Sequence, residues 1–504
     1  MNSQILKKIS LLLFLTILNS CYKESSEKPN IVLIVADDLG WSDLSFMGSK
    51  YYETPNIDKL SESGLTFYNG YASAANCAPS RATMLSGKYQ NTHGIYSVVN
   101  PLLGFGSDRG SRKTRKIIPI ETKSNLDLDF FVIPEMLKEL GYTNGHFGKW
   151  HLGDVGFHPE QSGFDINIGG NKHGGPGSYF APYPNPELEN EPKGEYLTDR
   201  IGDEVVKFID LNKENNFFAY VPFFSVHTPI QSKPDYQKKY SNKDSNEFHN
   251  RADYAGMIQS LDENVGKIID KIDALNLSKN TLIIFTSDNG GIRAISNQYP
   301  LRAGKGSYYE GGIKVPMIFS WQGKIDAETE SYERISNIDF YPTIKKLVGY
   351  NEDLNLDGED LTPIFNGEKL KKRELYFHFP VYLEPYRVES DSGTDPLFRT
   401  RPGTVVIKDN WKLHHYYEDN KFELYDLDKD TSESTNLAEI NKEKKNELLV
   451  DLDNWRKAKN APIPNKLNPY YNQKYVDSLM VLIEKNLISG KVNKNEQIND
   501  MNPF

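Results

Sequence analysis

The chain has 504 residues, a formal net charge of −10 and a mean hydropathy of −0.59. This length allows a large core and suggests more than one domain, while the hydropathy is typical of a water-soluble protein. The acidic balance argues against a general nucleic-acid binder, so no nucleic-acid partner is predicted, although a local basic pocket could still hold an anionic ligand.

Residues 1–20 predict an export signal. Lys7 and Lys8 precede an apolar run that is too short to span a bilayer. The run ends before Cys21 in a pattern that resembles a bacterial lipoprotein cleavage site, which makes Cys21 the candidate for lipidation and 21–29 a tether. We therefore expect an exported protein, held at the outer membrane or cell surface by a lipid anchor alone. A periplasmic location and a plain signal peptide remain as alternatives.

Residues 30–373 predict a layered α/β domain. The runs 31–36, 217–221 and 281–286 are continuously apolar, as in strands buried on both faces of a parallel sheet. A shorter strand is expected at 142–147 and another at 315–321. Helices predicted at 133–140, 198–209 and 251–275 alternate with these strands, and Thr198 is expected to cap its helix.

The pattern changes after Arg373. Short strands with tight turns are predicted at 374–379, 403–408, 411–417 and 422–426, followed by helices at 441–457 and 473–487. We interpret residues 374–504 as a smaller C-terminal subdomain with an antiparallel sheet and helices.

Oxygen-bearing side chains follow two of the buried strands. Asp37 and Asp38 come after the first, and Asp288 and Asn289 after the run 281–286. Open α/β sheets place their sites at these strand ends. Three carboxylates and an amide must hold a cation or shift their own pKa values sharply, and such hard ligands suit Ca²⁺ or Mg²⁺.

Cys77 lies just before a predicted helix start. Pro79 suits a first helical turn, whose outward amides attract anions, and Arg81 adds a planar cation suited to an oxyanion. The full string Cys-x-Pro-Ser-Arg-x-x-x-Leu-x-Gly resembles the type I sulfatases.

This resemblance implies an alkaline-phosphatase-like fold with a large mixed, mostly parallel sheet and a smaller C-terminal subdomain. It also implies that Cys77 is oxidised to formylglycine, whose hydrate is the nucleophile, by a formylglycine-generating or sulfatase-maturing enzyme. With Cys21 lipidated and Cys77 oxidised, neither cysteine is left for a disulfide. The family binds one divalent ion, usually calcium, through residues that match Asp37, Asp38, Asp288, Asn289 and the modified Cys77.

A second motif supplies basic residues. The segment from Gly141 to Gly153 resembles the sulfatase string Gly-Tyr-x-Thr-x-x-x-Gly-Lys-Trp-His-Leu-Gly, except that Asn144 replaces a threonine. Lys149 and His151 of this segment would project to one face if it is extended.

His227 and Lys305 lie on loops after other predicted strands. The resemblance implies that Arg81 and Lys149 hold the formylglycine hydrate and that His151 is the base that helps to expel sulfate. His227, with Lys305, is the candidate acid for the leaving group.

The resemblance, together with export, suggests a carbohydrate sulfatase. His173 and His378 are candidate sugar contacts, and the segments around them resemble those of sulfatases acting on chain-end galactose-type sugars. Arg109 and Arg112 belong to an insert interpreted either as a solvated loop or as a basic lip over the pocket. Ulvan, carrageenan and glycosaminoglycans all remain open as substrates. A phosphoester or phosphonate hydrolase and a non-catalytic glycan-binding lipoprotein are the alternatives.

Overall fold

The computed structural model describes residues 28–98, 111–189, 192–383 and 395–489. Fourteen strands occur within these residues: β1 (Asn30–Ala36), β2 (Leu65–Phe67), β3 (Gly70–Tyr71), β4 (Thr143–Phe147), β5 (Ile166–Ile168), β6 (Phe217–Pro222), β7 (Thr281–Ser287), β8 (Met317–Ser320), β9 (Thr329–Ser331), β10 (Ile335–Ser336), β11 (Glu374–Phe379), β12 (Gly403–Lys408), β13 (Trp411–Tyr416) and β14 (Lys421–Asp426).

The α-helices of the same residues are α1 (Pro55–Glu62), α2 (Cys77–Ser86), α3 (Gln90–His93), α4 (Ser111–Thr114), α5 (Ile133–Glu139), α6 (Leu197–Leu211), α7 (Pro234–Ser241), α8 (Ala252–Ala274), α9 (Glu310–Ile313), α10 (Phe340–Leu347), α11 (Thr362–Phe365), α12 (Lys442–Ala458) and α13 (Gln473–Ser489). No helix in the described part of the chain is both long and apolar enough to cross a membrane.

The main sheet has eight strands in the order β5-β4-β6-β1-β7-β8-β2-β9. Neighbouring strands are parallel, except that β8 runs antiparallel to both β7 and β2. At the centre, Ile34 of β1 lies opposite Val221 of β6 and Phe285 of β7. The predicted alkaline-phosphatase-like class, with a large and mostly parallel sheet, is confirmed.

Alternate residues of β1 enter two separate cores, one on each face of the sheet. Ile34 packs in the core that includes residues of α6 and α8, whereas Leu33 packs in the core that includes residues of α2, α5 and α10. Because helices cover both faces, the strand is apolar throughout, which explains the continuous run seen in the sequence.

A four-stranded antiparallel sheet, in the order β11-β12-β13-β14, follows the main sheet in the chain. One face packs Phe377 and Val405 against Tyr308 and Ile313, which belong to the loop region before β8. The other face packs against α12 through Leu448 and Leu452. The second sheet therefore packs against the segment that follows Lys305 in the chain.

Two local predictions differ from the structure. The strand expected at 315–321 is confined to Met317–Ser320. Tyr196, not Thr198, occupies the N-cap of α6, and the Thr198 hydroxyl instead contacts the hydroxyl of Ser225. Thr198 lies inside the first turn, where its side chain can reach a neighbouring loop.

Candidate active site

Most of the candidate residues follow the carboxyl ends of four adjacent strands, β4, β6, β1 and β7, whereas Cys77 and Arg81 belong to α2. Parallel strands bring these ends to one edge of the sheet. The loop after β1 is tied to the loop after β6, because the Asp37 amide donates to the Ser225 carbonyl at 2.8 Å and the Val226 amide donates back to Asp37 at 2.7 Å. The loops therefore hold a fixed relative position.

Cys77 is the first residue of α2, in which every residue is buried. Its Sγ lies 3.7 Å from Asp37 Oδ1 and 3.9 Å from Asp38 Oδ1. Burial raises the pKa of the Cys77 thiol to about 12, although Lys149 and Lys305 oppose the shift. An unmodified thiol at this position is therefore protonated at neutral pH and a weak nucleophile.

Each of the three buried carboxylates lies within hydrogen-bond distance of one cation, and Arg81 Nη2 also lies 3.7 Å from Asp37 Oδ1. Arg81 Nη2 lies 2.8 Å from Asp288, Lys149 Nζ lies 2.7 Å from Asp37, and Lys305 Nζ lies 2.6 Å from Asp38. The distances between nitrogen and oxygen are those of charge-assisted hydrogen bonds. Buried charges need such partners, since an unpaired one would cost several kcal/mol.

The carboxylates nevertheless differ in their affinity for protons. Burial, together with the nearby carboxylates of Asp288 and Asp38, raises the pKa of Asp37 to about 8 despite the opposing charge of Lys149. Burial acts the same way on Asp38, but the charges of Lys305 and His227 outweigh it and hold the pKa of Asp38 below its usual range. Of these two carboxylates, Asp37 therefore binds a proton the more readily, while Asp38 stays ionised.

His227 faces the same carboxylate as Lys305. Its Nδ1 lies 2.7 Å from the Thr228 carbonyl, which can only accept, so Nδ1 carries a proton and Nε2 faces Asp38 Oδ2 at 3.7 Å. Burial lowers the pKa of His227 to about 3, helped by the positive charges of Lys305 and Lys149, although Asp38 opposes it. The ring is accordingly neutral before a ligand adds negative charge.

His151 sits on strained backbone, at φ 60°. Asp38 shares this left-handed conformation, at φ 61°, which is uncommon for residues other than glycine and is concentrated at functional sites. The His151 amide donates to the Asn171 carbonyl at 2.9 Å, which fixes the backbone of the histidine. Burial lowers the pKa of His151 well below its usual value.

Gly174 and Gly175 press against the two histidines. A Cβ on Gly174 would lie 2.6 Å from Cε1 of His151, and one on Gly175 would lie 3.2 Å from Nδ1 of His227. Both histidines thus contact one loop. A Cβ on Gly174 would force the ring or the loop to move, whereas one on Gly175 would require a shift of only a few tenths of an ångström.

The donor set fits a hard cation. Asp37, Asp38, Cys77 and His227 each offer one ligand atom within 4.8 Å of the others. Asn289 adds an oxygen: its Nδ2 donates to Asp38 at 2.8 Å, while its buried Oδ1 has no hydrogen-bond partner among the described residues. A buried, unpartnered amide oxygen beside carboxylates is the environment that Ca²⁺ or Mg²⁺ prefers.

Other predicted site residues lie elsewhere. His173 is exposed on the loop beside Gly174. Arg112 belongs to the short helix α4, and its side chain is outside the described atoms; Arg109 and Cys21 are outside the described residues.

The prediction that His378 contacts a sugar is wrong. The side chain is only 1% exposed, and its nitrogens lie 2.9 Å from Thr404 Oγ1 and 3.1 Å from the Pro462 carbonyl. His378 therefore stabilises the second sheet internally and presents no group to a ligand.

Two contributors were not predicted from the sequence. The Tyr179 hydroxyl lies 2.6 Å from the Phe224 carbonyl and 2.9 Å from the His227 carbonyl, so it supports the loop that carries His227. Arg399, from the segment before β12, donates to the Lys305 carbonyl at 3.0 Å. Neither residue has a local pattern that could reveal such a contact.

Comparison with known proteins identifies the family. The sulfatase family model matches residues 29–350, and the model described as N-sulphoglucosamine sulphohydrolase, C-terminal, matches residues 304–458. A sulfatase of Formosa agariphila is 34% identical over 87% of this chain and 91% of its own. The N-acetylgalactosamine-6-sulfatase of Mus musculus is 30% identical over 73% of this chain and 72% of its own.

Solved structures agree. Ps i-CgsB in complex with k-i-k-neocarrahexaose has a TM-score of 0.70 and 29% identity, covering 92% of this chain and 100% of that one. The phosphonate monoester hydrolase of Agrobacterium radiobacter, at 21% identity and a TM-score of 0.62, shares the fold. The chain thus belongs to the sulfatase family and is an enzyme that hydrolyses sulfate esters.

Proposed function

We propose that this enzyme removes sulfate from a sulfated carbohydrate, with Cys77 oxidised to formylglycine and one calcium ion held by Asp37, Asp38, Asp288 and Asn289. The observation that carries the proposal is the meeting of Cys77 with three carboxylates and three buried cations at one edge of the sheet. The high pKa of the Cys77 thiol supports conversion, because the unmodified side chain would be a poor nucleophile.

The hydrated aldehyde would supply the oxygen that attacks sulfur, and the ion would offset charge on the sulfate oxygens. Arg81 and Lys149 orient the site. Arg81 holds Asp288 and also donates to the Lys149 carbonyl at 3.2 Å, while the Lys149 ammonium holds Asp37. These contacts fix Asp288 and Asp37, and Asp37 Oδ1 lies 3.7 Å from the Sγ of Cys77.

Proton transfer is assigned to the histidines and Lys305. The Lys305 ammonium carries the protons and would donate to the negative leaving oxygen, while His227 would donate from Nε2 only after the bound substrate anion has led that nitrogen to take up a proton. His151 is the base that accepts the proton as sulfate is expelled. Its Nδ1 is buried and has no hydrogen-bond partner among the described residues, and its neutral ring is able to accept one.

Sulfated galactose-type sugars are the proposed substrate class, and the sulfate removed would be one carried by the sugar at a chain end. Support comes from the mouse relative, named for N-acetylgalactosamine, and from the carrageenan oligosaccharide bound by Ps i-CgsB. Export as a lipoprotein anchored through Cys21 would place the enzyme where such external polymers are met. Loss of labelling by a radioactive fatty acid in Cys21→Ala would support the anchor, and unchanged labelling would contradict it.

Three measurements test the proposal, made on enzyme produced together with a sulfatase-maturing enzyme. The peptide containing residue 77 should be about 18 Da lighter than its cysteine form, because oxygen replaces sulfur and two hydrogens are lost. The purified protein should contain one calcium ion per chain. Defined sulfated galactose and N-acetylgalactosamine oligosaccharides should lose sulfate.

Rates of hydrolysis of the sulfate ester and the phosphate ester of one alcohol distinguish a sulfatase from the leading alternative, a phosphoester or phosphonate hydrolase. Faster hydrolysis of the phosphate ester would favour the phosphonate-hydrolase alternative, whose support is the fold shared with the Agrobacterium enzyme. An unmodified Cys77 and no turnover of either ester would favour a glycan-binding protein.

A further inference from the structure

From the contacts of Arg399 we infer that this arginine of the C-terminal part of the chain is a positioning residue, which holds the Lys305 backbone so that the Lys305 ammonium stays against Asp38. The inference rests on the proposed function, in which Lys305 meets the leaving group. Arg399 Nη1 donates to the Lys305 carbonyl at 3.0 Å, and the Lys305 ammonium lies 2.6 Å from Asp38 Oδ1.

The residue after Lys305 is shaped for this contact. Gly306 has φ 86°, and a Cβ at that position would lie 2.6 Å from Cζ of Arg399. Any larger residue would displace the guanidinium, so the glycine lets it lie close against the backbone. The Gly306 amide donates to the Ala75 carbonyl at 2.8 Å, only two residues before Cys77.

Lys305 is thus held by its backbone from two directions. Its amide donates to the Gly291 carbonyl at 2.9 Å, which ties it to the loop after β7 that carries Asp288 and Asn289. Its carbonyl accepts from Arg399, which ties it to the segment that leads into β12. A side chain as long as that of lysine has many rotamers, so a fixed backbone reduces the positions that its ammonium can reach.

Arg399 is itself firmly anchored. Its amide donates to the Leu383 carbonyl at 2.7 Å, and the Leu383 amide donates to Thr400 at 3.1 Å, which forms an antiparallel bridge. The flanking Phe398 is 1% exposed and lies with its ring 4.9 Å from that of Tyr382. The guanidinium is therefore presented to Lys305 from a rigid support.

Arg401 offers a matched control on the same segment. It carries the same side chain, but it pairs with Asp395 and Glu418 and makes no described contact with Lys305. Removing Arg401 perturbs the C-terminal segment without releasing the Lys305 carbonyl. The comparison separates a positioning role from general stability of the segment.

The test measures kcat and KM on 4-nitrophenyl sulfate for the wild type, Arg399→Ala, Arg401→Ala, Lys305→Ala and the double variant of Arg399 and Lys305. We expect Arg399→Ala to lower kcat about tenfold with KM within about twofold, since the lost effect belongs to the transition state. The double variant should be no slower than Lys305→Ala, because Arg399 acts through Lys305. Arg401→Ala should keep its kcat.

Three results would overturn the inference: a kcat for Arg399→Ala equal to that of the wild type, the same loss in Arg401→Ala, or a double variant slowed by the product of the single effects. A measurement independent of activity is hydrogen exchange of the peptide that spans residues 301–308. Exchange of this peptide should rise in Arg399→Ala and stay at the wild-type rate in Arg401→Ala. Unchanged exchange in Arg399→Ala would also refute the contact. If the wild type hydrolyses no sulfate ester, the proposed function fails, while the exchange measurement still decides the role of Arg399.

Discussion

Replacing Gly174 with alanine tests whether the loop over the site fixes His151. Gly174 and Gly175 both avoid the left-handed region of backbone, so alanine is acceptable to the main chain at either position. The new Cβ at position 174 would lie 2.6 Å from Cε1 and 2.9 Å from Nε2 of His151. Ordinary contacts are about 3.5 Å or longer, so ring or loop must move by about 1 Å.

The expected loss follows from that displacement. His151 is half-buried, its Nδ1 is fully buried and its amide is held by Asn171, so the ring has little freedom to move aside. A misplacement of about 1 Å can cost about a hundredfold in rate, and overpacking of this kind costs roughly 1–3 kcal/mol of stability. Gly175→Ala is the matched control: its Cβ would lie 3.2 Å from His227, which requires a shift of only about 0.3 Å, and we expect less than about a tenfold loss.

The assay is kcat and KM of both variants on one sulfate ester, with calcium content and the melting temperature measured on the same samples. Gly174→Ala should lose kcat while it retains its calcium and most of its stability. A Gly174→Ala enzyme with more than half of the wild-type kcat would refute the reasoning that this loop positions His151. Equal losses in the two variants would also refute it, because the two contacts differ in closeness.

Cys77→Ala should abolish turnover and leave the circular dichroism spectrum unchanged; residual turnover would count against Cys77 as the nucleophile. Asp288→Ala should lose both calcium, measured by elemental analysis, and activity. It should also unfold more easily, because the buried Arg81 loses its partner at 2.8 Å and keeps only Asp37 at 3.7 Å, and breaking a buried ion pair costs up to about 3–5 kcal/mol. His378→Ala should keep kcat and KM but lose roughly 1–3 kcal/mol of stability. A raised KM would instead be evidence that His378 contacts the substrate. Burial lowers the pKa of His93 to about 3 from an unfolded value near 6.5, so its contribution to stability is present above pH 6.5 and is lost as pH falls towards 3. The free energy of unfolding, measured in urea, should therefore fall by about 2 kcal/mol less between pH 7 and pH 5 in His93→Gln than in the wild type. An equal fall in the two proteins would contradict this.

The residues at the strand ends could be predicted because their signal is local. The apolar runs 31–36 and 281–286 are β1 and β7, and oxygen-bearing side chains follow each directly. Parallel strands then bring Asp37 and Asp288 to one edge whatever lies between them in the chain. The same logic placed Lys149 and His227 correctly on the loops after β4 and β6.

His378 shows where this reasoning fails. It lies in β11, and its imidazole packs near α12 and the segment after it, with a ring-to-ring distance of 6.2 Å to Trp455. A polar residue in a short antiparallel strand usually faces solvent. Here a helix that comes more than 60 residues later in the chain covers that face, and the Pro462 carbonyl satisfies the imidazole. Neither event leaves a mark on the sequence around the histidine.

Gly174 and Arg399 were missed for a related reason. Their importance lies in what they touch, and the partner of Arg399 is 94 residues away in the chain. A glycine in a loop normally predicts a turn, and an arginine before a strand is normally predicted to be exposed to solvent. Only the distances show that Gly174 gives room to the His151 ring and that Arg399 holds the Lys305 backbone.

The balance of charge in the site explains why Asp288 can matter as much as the cations for binding an anionic substrate. The chain as a whole is negative, so its long-range field opposes an anionic polysaccharide, and attraction must come from buried groups close to the substrate. Yet the three cations, Arg81, Lys149 and Lys305, lie against three carboxylates, and the formal charges of the ionised groups cancel. Side chains alone therefore make a nearly neutral pocket, and a bound divalent ion would make it positive by about two units. Affinity for a sulfate ester would then depend on the residues proposed to hold the ion, among which Asp288 also fixes Arg81.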